Sequence, residues 1–445
     1  MQRWLKFAKY LPQYGWEPVI YTPENPEANT VDEALLKDIA PDIEVLKTRI
    51  WEPYSFYKAL LGGKKNTSDG GKHIKANIIG SENKSFTHKL SLFVRGNFFI
   101  PDPRCLWIRP SIKYLVKYLK ECPVDVIVST GPPHSMHLIA KGVSKATGIR
   151  WVADFRDPWT EIFYFKHLNL SKWAYRRHRK LEQGVLDSAD VVTVVSRKMQ
   201  ADFAARTSTP VEVVTNGFDH EDFLEPAADV MEQIKPEGAE NRFSLVHTGI
   251  FVDSGNPEHL WEVLGEKAKE EPQFKNDLQI RLMGQVDDSI LQGIAGAGLE
   301  SNLENMGYRP HTEVVQWQQR AQVLLLPLRK EPEAAAILTG KFFEYLASGR
   351  EILAFGPTYG DLAKALQETG SGTIVDFEDK AATRRELDRL YGKFVQEREK
   401  KAARADGVEA TPGGGNCREE KMFSPAVMKY SRKHLAGEMV KLFEQ

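Results

Sequence analysis

Two doubly wound α/β domains in series are the fold class this sequence predicts. Three observations point there. Strand-length apolar runs alternate with helix-period segments along both halves of the chain. The 445 residues, 42% of them hydrophobic, exceed one ordinary domain and can bury more than one core. Residues 323–355 spell out one repeating unit: an apolar run Val323–Leu328, a loop, a helical stretch Gly340–Ser348 and a second apolar run Ile352–Phe355.

The elements follow in order. Gln2 to Tyr14 places Trp4, Leu5, Ala8 and Leu11 on one helical face, with Gly15 as its C-cap. Strands are predicted at Val19–Tyr21, Ile43–Leu46, Asp125–Ser129, Trp151–Ala153 and Val191–Val195, with helical patterns between most of them. The second half repeats the theme at Phe243–His247, Leu278–Met283, Val323–Leu326, Ile352–Phe355 and Thr373–Val375. The domain boundary is predicted at the turn Thr215–Asp219, so that residues 1–217 form the first domain and 218–424 the second. Residues 62–84 and 402–418, rich in Gly, Lys, Ser and Asn or carrying a Pro-Gly-Gly-Gly run, read as mobile insertions. Pro425 to Phe443 has helical periodicity, giving a C-terminal helix over 425–445.

Charge is unevenly spread. Residues 1–217 carry 32 Lys+Arg against 22 Asp+Glu, and the remainder 28 against 39, although the whole chain has a net charge of −1. A basic first half suits an anionic membrane surface or a polyanionic substrate, and an acidic second half argues against general nucleic-acid binding. The two halves attracting each other is the plainer alternative. Three widely spaced cysteines, Cys105, Cys122 and Cys417, form neither a disulfide framework nor a metal motif. No apolar run is long enough to span a bilayer, and no signal-peptide core opens the sequence, so a cytoplasmic protein, at most peripheral on the membrane, is expected.

The most informative stretch is Thr339 to Gly349. A glycine and a lysine at a helix start make an anion site, because unpaired backbone N–H groups and the positive end of the helix dipole favour phosphate there. Gly340 lets a backbone approach, Lys341 adds charge, and Glu344 one turn on can accept hydrogen bonds from a ribose diol. An ordinary α/β turn with both side chains solvated fits the same residues. A basic, aromatic segment from Lys166 to Lys180, with Trp173 and Tyr175 beside Lys172, Arg176, Arg177, Arg179 and Lys180, fits either an anionic membrane face or a solvated helix. Trp16, Trp51 and Trp151 are read as core.

Several motifs together resemble the bacterial family-4 glycosyltransferases of the GT-B fold. They are Arg3–Phe7 with Tyr14–Pro18, Arg95–Asp102, Ser129–His134, Ala153–Trp159, Thr215–Asp219 and the Lys341–Glu344 segment. The resemblance covers nearly the whole chain and implies two Rossmann-like domains facing across a cleft. It implies transfer of a sugar from a nucleotide-sugar donor to an acceptor hydroxyl, with retention of anomeric configuration and without a metal, in cell-surface or exopolysaccharide synthesis. The acceptor would be a saccharide or a lipid-linked saccharide. No cofactor is implied, since the nucleotide-sugar is a substrate.

By the same resemblance the second domain holds the donor. Glu344 matches the ribose-binding glutamate. Thr339, Gly340 and Lys341 lie where the diphosphate sits, Gly249 opens a turn close to the phosphates, and Tyr308 and Arg309 resemble the loop beside the base. On the acceptor side, Arg156 and Asp157 occupy the place of a His-Asp pair in many relatives, and His134 follows another strand end. These three are the candidate reacting-centre residues. Structural readings stand beside them: Asp157 capping a turn, Arg156 paired with Asp154, His134 capping the next helix.

Three departures from the family pattern are visible. Ala336 stands where many members carry a glutamate that contacts the donor sugar. Val252–Pro257 lacks the arginine that relatives often supply to the phosphates. The chain begins inside the first predicted helix, so the first strand of the N-terminal domain is missing and the true start is expected upstream. All three favour an alternative, a non-catalytic GT-B protein that binds a sugar nucleotide or a partner. A nucleotide-sugar epimerase is a further one.

Overall fold

The computed structural model describes residues 2–26, 39, 41, 43–51, 93–94, 96–162, 165, 168–224, 242–406 and 423–444. The readings of 62–84, most of 402–418, Arg95 and the linker 225–241 fall outside them. The chain divides into two compact units, Met1–Thr215 with Ala436–Gln445, and Asn216–Leu435.

The first unit holds strands β1 (Val19–Pro23), β2 (Glu44–Thr48), β3 (Val126–Gly131), β4 (Arg150–Phe155), β5 (Val191–Val194) and β6 (Val211–Val213). All pair in parallel, β1 with β2 as one sheet and β3-β4-β5-β6 as another. Its longer helices are α1 (Gln2–Tyr10), α2 (Ile108–Glu121), α3 (Ser135–Thr147), α4 (Lys172–Leu186) and α5 (Arg197–Ala204). Strands β4 and β5 are buried almost throughout, as a parallel strand covered on both faces should be, whereas the equally apolar Val126, Ile127 and Val128 of β3 are only half-buried.

One buried carboxylate ties this unit together. Asp154 on β4 is fully buried and accepts hydrogen bonds from Arg3 Nη2 at 3.1 Å and Arg3 Nε at 3.2 Å, from Trp4 Nε1 at 2.7 Å, and from Thr130 and Thr193 at 2.8 and 2.9 Å. Arg3 also donates to the carbonyls of Val214 and Thr215. The helix α1, the strands β3, β4 and β5, and the end of β6 thus meet on the Arg3–Asp154 pair. Arg3, and not Arg156, is the partner of Asp154.

The second unit is one six-stranded parallel sheet in the order β12-β11-β10-β7-β8-β9, built from β7 (Phe243–Thr248), β8 (Leu278–Met283), β9 (Leu303–Gly307), β10 (Val323–Pro327), β11 (Glu351–Phe355) and β12 (Gly372–Val375). The central strands β10 and β11 are apolar on both faces, and successive residues feed two cores. Phe243, Leu245, Val323, Leu325, Leu353 and Phe355 pack with helices α6 (Glu258–Glu270), α7 (Asp288–Gly296) and α11 (Lys380–Asp406). Val246, Leu324, Leu326, Ile352 and Ala354 pack with α8 (His311–Arg320), α9 (Gly340–Ser348) and α10 (Asp361–Thr369).

Three expectations change. Strands β6 and β9 were not predicted. The C-terminal helix is interrupted: a short helix Pro425–Met428 is separated from α12 (Arg432–Phe443) where Ser431 bridges to Phe218. Trp151 is fully buried, but Trp51 is 57% exposed and is not core.

Burial alone would push the Asp154 carboxyl up; the Arg3 guanidinium and the hydrogen bonds from Trp4, Thr130 and Thr193 outweigh it and hold it below its usual value. A carboxylate depressed in the folded state contributes stability above its unfolded pKa and loses it as pH falls through the folded one. Asp154→Asn is therefore expected to cost about 3–5 kcal/mol at pH 7, because it strands a buried guanidinium. Urea denaturation of both proteins at pH 7 and below pH 4 checks this, with the difference shrinking at the acid end.

Candidate functional site

In the second unit the chain winds outward from β7 through β8 to β9, then crosses back to place β10 on the other side of β7 and continues to β11 and β12. The connections from β7 and β10 leave in opposite directions, and the carboxyl edge at such a reversal is where doubly wound sheets open a ligand crevice. The residues that the sequence singled out for the donor lie at this edge.

Gly249 directly follows β7. Its φ is +89°, and a Cβ there would come within 2.8 Å of Lys341 Cε. Gly284 follows β8 with φ +112°, and its Cβ would lie 2.4 Å from the Gly249 carbonyl oxygen. The Gly249 N–H donates to Met283 O and the Gly284 N–H to Gly307 O, both at 2.7 Å, so the strand ends form a bare backbone shelf.

Helix α9 starts above the connection from β10. Thr339 is its N-cap, with Oγ1 accepting from the Phe342 N–H at 3.3 Å. Nothing lies within 4 Å of a Cβ added at Gly340. Packing inside the chain thus does not demand a glycine there. Lys341 Nζ donates to Ile250 O at 2.8 Å and lies 3.2 Å from His247 Nε2. Burial pushes its pKa down to about 8 despite the attraction of Glu344.

Glu344, one turn further, accepts from Gln318 Nε2 at 3.3 Å and lies 3.5 Å from His311 Nε2. Gln318 is fully buried and also donates to Thr248 Oγ1 at 3.1 Å, while the Thr248 N–H donates to the Tyr345 hydroxyl at 3.0 Å. Glu344 is therefore held by a network anchored at the end of β7. Tyr308 and Arg309 follow β9; Tyr308 is 88% exposed, and Arg309 Nε lies 3.7 Å from Glu313. Ala336 ends a 3₁₀ turn, Pro332–Ala336, leading towards α9.

His247, Gln318, Thr248 and His311 were not singled out from the sequence. A histidine in a strand of apolar neighbours and a glutamine on a helix carry no local signal; only the adjacency of β7, β10 and α9 gives them partners.

The acceptor-side candidates sit at the carboxyl ends of β3 and β4 in the first unit. Arg156 donates from its backbone N–H to Gly131 O at 2.9 Å and from Nη2 to Pro132 O, and its buried Nε has no hydrogen-bond partner among the described residues. Asp157 follows it and is half-buried. His134 is buried, with its ring stacked on Trp159 at a 4.6 Å centroid separation. Desolvation drives its pKa well down, so it is neutral, and Nδ1 has no partner among the described residues. It occupies the N-cap position of α3 without capping it by its side chain; Asp102 does so from the neighbouring loop, accepting from the Ser135 N–H at 2.8 Å and the Ser135 hydroxyl at 2.7 Å. Nearby, Trp151 Nε1 donates to Ser129 Oγ, which lies 2.9 Å from His137 Nδ1.

These features lie in a chain of GT-B architecture. Among solved structures, a glycosyltransferase from Rickettsia africae superposes with a TM-score of 0.56 at 13% identity, covering 100% of this chain and 93% of that one. Sucrose-phosphate synthase from Thermosynechococcus elongatus gives 0.57 at 13% identity over 99% and 91%. Anabaena HepE in complex with UDP and glucose gives 0.56 at 13% identity over 100% and 95%. At these identities the likeness is one of fold. No curated protein matches the chain in sequence. Residues 80–222 match the family model of Glycosyltransferase Family 4. No helix among the described residues is long and apolar enough to cross a membrane.

A lysine whose folded pKa is below its unfolded value costs stability while charged. The cost is full below about pH 8 and is relieved as pH rises towards the ordinary lysine value of 10.5. Lys341→Met is expected to stabilise the protein at pH 7, with the gain fading by pH 10. Denaturant midpoints at the two pH values check this.

Proposed function

We propose that the protein transfers a sugar from a nucleoside-diphosphate sugar to an acceptor hydroxyl, with the second unit holding the donor. The observation that carries this reading is the convergence of Lys341, the open start of α9 at Gly340, and the bare turn at Gly249, with Glu344 one helical turn away. An ammonium, free helix N–H groups and a glycine backbone suit a diphosphate, and a carboxylate held by Gln318 suits a ribose diol. HepE, of similar fold, binds UDP and glucose.

The step balances without a side-chain nucleophile. The anomeric C–O bond to the leaving phosphate breaks, the acceptor oxygen bonds to the anomeric carbon on the same face, and the acceptor's proton passes to the departing phosphate oxygen. Configuration is retained, and no metal is called on, because Lys341 and the helix start neutralise the leaving group. Asp157, Arg156 and His134 serve the acceptor side; a neutral His134 can orient a hydroxyl but offers no positive charge. A saccharide or lipid-linked acceptor in envelope or exopolysaccharide assembly fits this chemistry. The second reading, binding of a sugar nucleotide without transfer, is favoured by Ala336, which leaves no carboxylate at that position for the donor sugar.

A thermal-shift panel of UDP, GDP, ADP and their sugars tests the donor site. One nucleotide series should stabilise the protein by about 2.7 kcal/mol at a hundredfold excess over its Kd. Glu344→Ala should forfeit about 1.5–3 kcal/mol of that binding. Gly340→Ala should keep the fold at full stability yet bind more weakly, since only a ligand would meet the added methyl. No shift from a cooperatively folded protein would sink the donor reading, and a shift with no product from any acceptor would favour the non-catalytic one.

Helix α4 supports peripheral attachment to the membrane. Trp173 and Tyr175 are 65% and 45% exposed, beside exposed Lys172, Arg176, Arg177 and Lys180. Aromatic rings with clustered cations suit an anionic bilayer surface. Liposome flotation should retain the protein on vesicles with anionic lipid and release it at high salt; absence from both vesicle types would remove the idea.

A further inference from the structure

His247 takes no part in the site as read so far. It lies on β7, is 1% exposed, and packs against the Phe251 ring at a 4.3 Å centroid distance. Its two nitrogens face different neighbours. Nδ1 lies 3.0 Å from the carbonyl oxygen of Leu325 on β10, which can only accept, so Nδ1 carries the hydrogen. Burial first, and the nearby Lys341 cation second, push the imidazole pKa down to about 3, so the ring is neutral. Its Nε2 is then a lone pair, 3.2 Å from Lys341 Nζ.

We propose that His247 is a positioning residue for the leaving diphosphate: anchored to Leu325, it presents a fixed acceptor to Lys341 and holds the ammonium over the Gly249 turn. This rests on the donor-site reading above. The lysine stem has four rotatable carbons and would otherwise spread its charge over a wide arc. With Ile250 O as the second acceptor, two ammonium hydrogens are engaged and the third is left for a phosphate oxygen. The charged and titratable neighbours of Lys341 are His247 and Glu344, and Glu344 is itself held by Gln318 and His311. The imidazole alone couples the ammonium directly to the strand junction.

The test uses the whole chain and titrates whichever of UDP, GDP or ADP stabilises the wild type. His247→Asn can keep the donor to Leu325 but loses the acceptor; His247→Gln reaches Lys341 with an amide oxygen. The expected result is an approximately tenfold loss of diphosphate affinity in His247→Asn, substantial recovery in His247→Gln, and no further loss when His247→Asn is added to Lys341→Ala. The pH above which affinity falls should also move down in His247→Asn, since the ammonium has lost an acceptor. A purely structural histidine would lower the denaturation midpoint without these couplings. Equal affinity in wild type and both variants, or additive losses with Lys341→Ala, would overturn the proposal and leave the donor site standing. A wild type that binds no diphosphate would overturn the donor reading and this proposal with it.

Discussion

The site depends on one topological constraint, the return of β10 to the side of β7 in the second sheet. That crossing leaves the connections after the two strands diverging at a common carboxyl edge, and it places the turn at Gly249 against the start of α9. It also creates the hydrogen bond from His247 to Leu325 that links the strands below the edge. A helix start elsewhere on the sheet would offer the same N–H groups but no facing glycine turn and no anchored lysine. The chemistry is therefore a property of the junction more than of the helix.

The first unit solves a related problem with a charge in place of a winding reversal. Its strands are short, and the carboxylate of Asp154 gathers α1, β3, β4 and β5 through five donors. Such a group is costly to bury and is tolerated because every donor is placed. At the same carboxyl edge Arg156 and Asp157 come two and three residues after Asp154, and His134 lies stacked on Trp159. Asp102 adds a second fixed point by capping α3.

Most of this was legible where local pattern and environment coincide. Strand β10 is a continuous apolar run, and β7 and β8, though interrupted by Ser244, His247, Gln279 and Arg281, are apolar enough to stand out in the sequence. Strand β9, Leu-Glu-Asn-Met-Gly at the sheet edge, and β6, only Val-Glu-Val, are too polar or too short to stand out. The Thr-Gly-Lys start and Glu344 were readable because a helix start has its own chemistry. His247 and Gln318 were not, because their partners lie 78 and 26 residues away in sequence and are brought close only by the fold. The pairing of Asp154 with Arg3, 151 residues apart, was missed for the same reason, and Arg156, only two residues on, was the more obvious partner.

The energetics of Lys341 connect the fold to its use. The second half of the chain has an acidic balance, and Val252–Pro257 contributes no arginine. The ammonium is desolvated, which is why its pKa falls to about 8, and two neutral acceptors orient it without neutralising it. On the proposed donor reading, a dianion arriving beside it would restore the stabilisation that burial removed, so that binding near or above pH 8 would take up a proton. On that reading the same charge would face the phosphate oxygen as negative charge grows on it, where a preoriented ammonium needs no reorganisation. A lysine held underhydrated at a strand junction costs the fold stability, and an anion at that junction, as proposed above, would offset that cost.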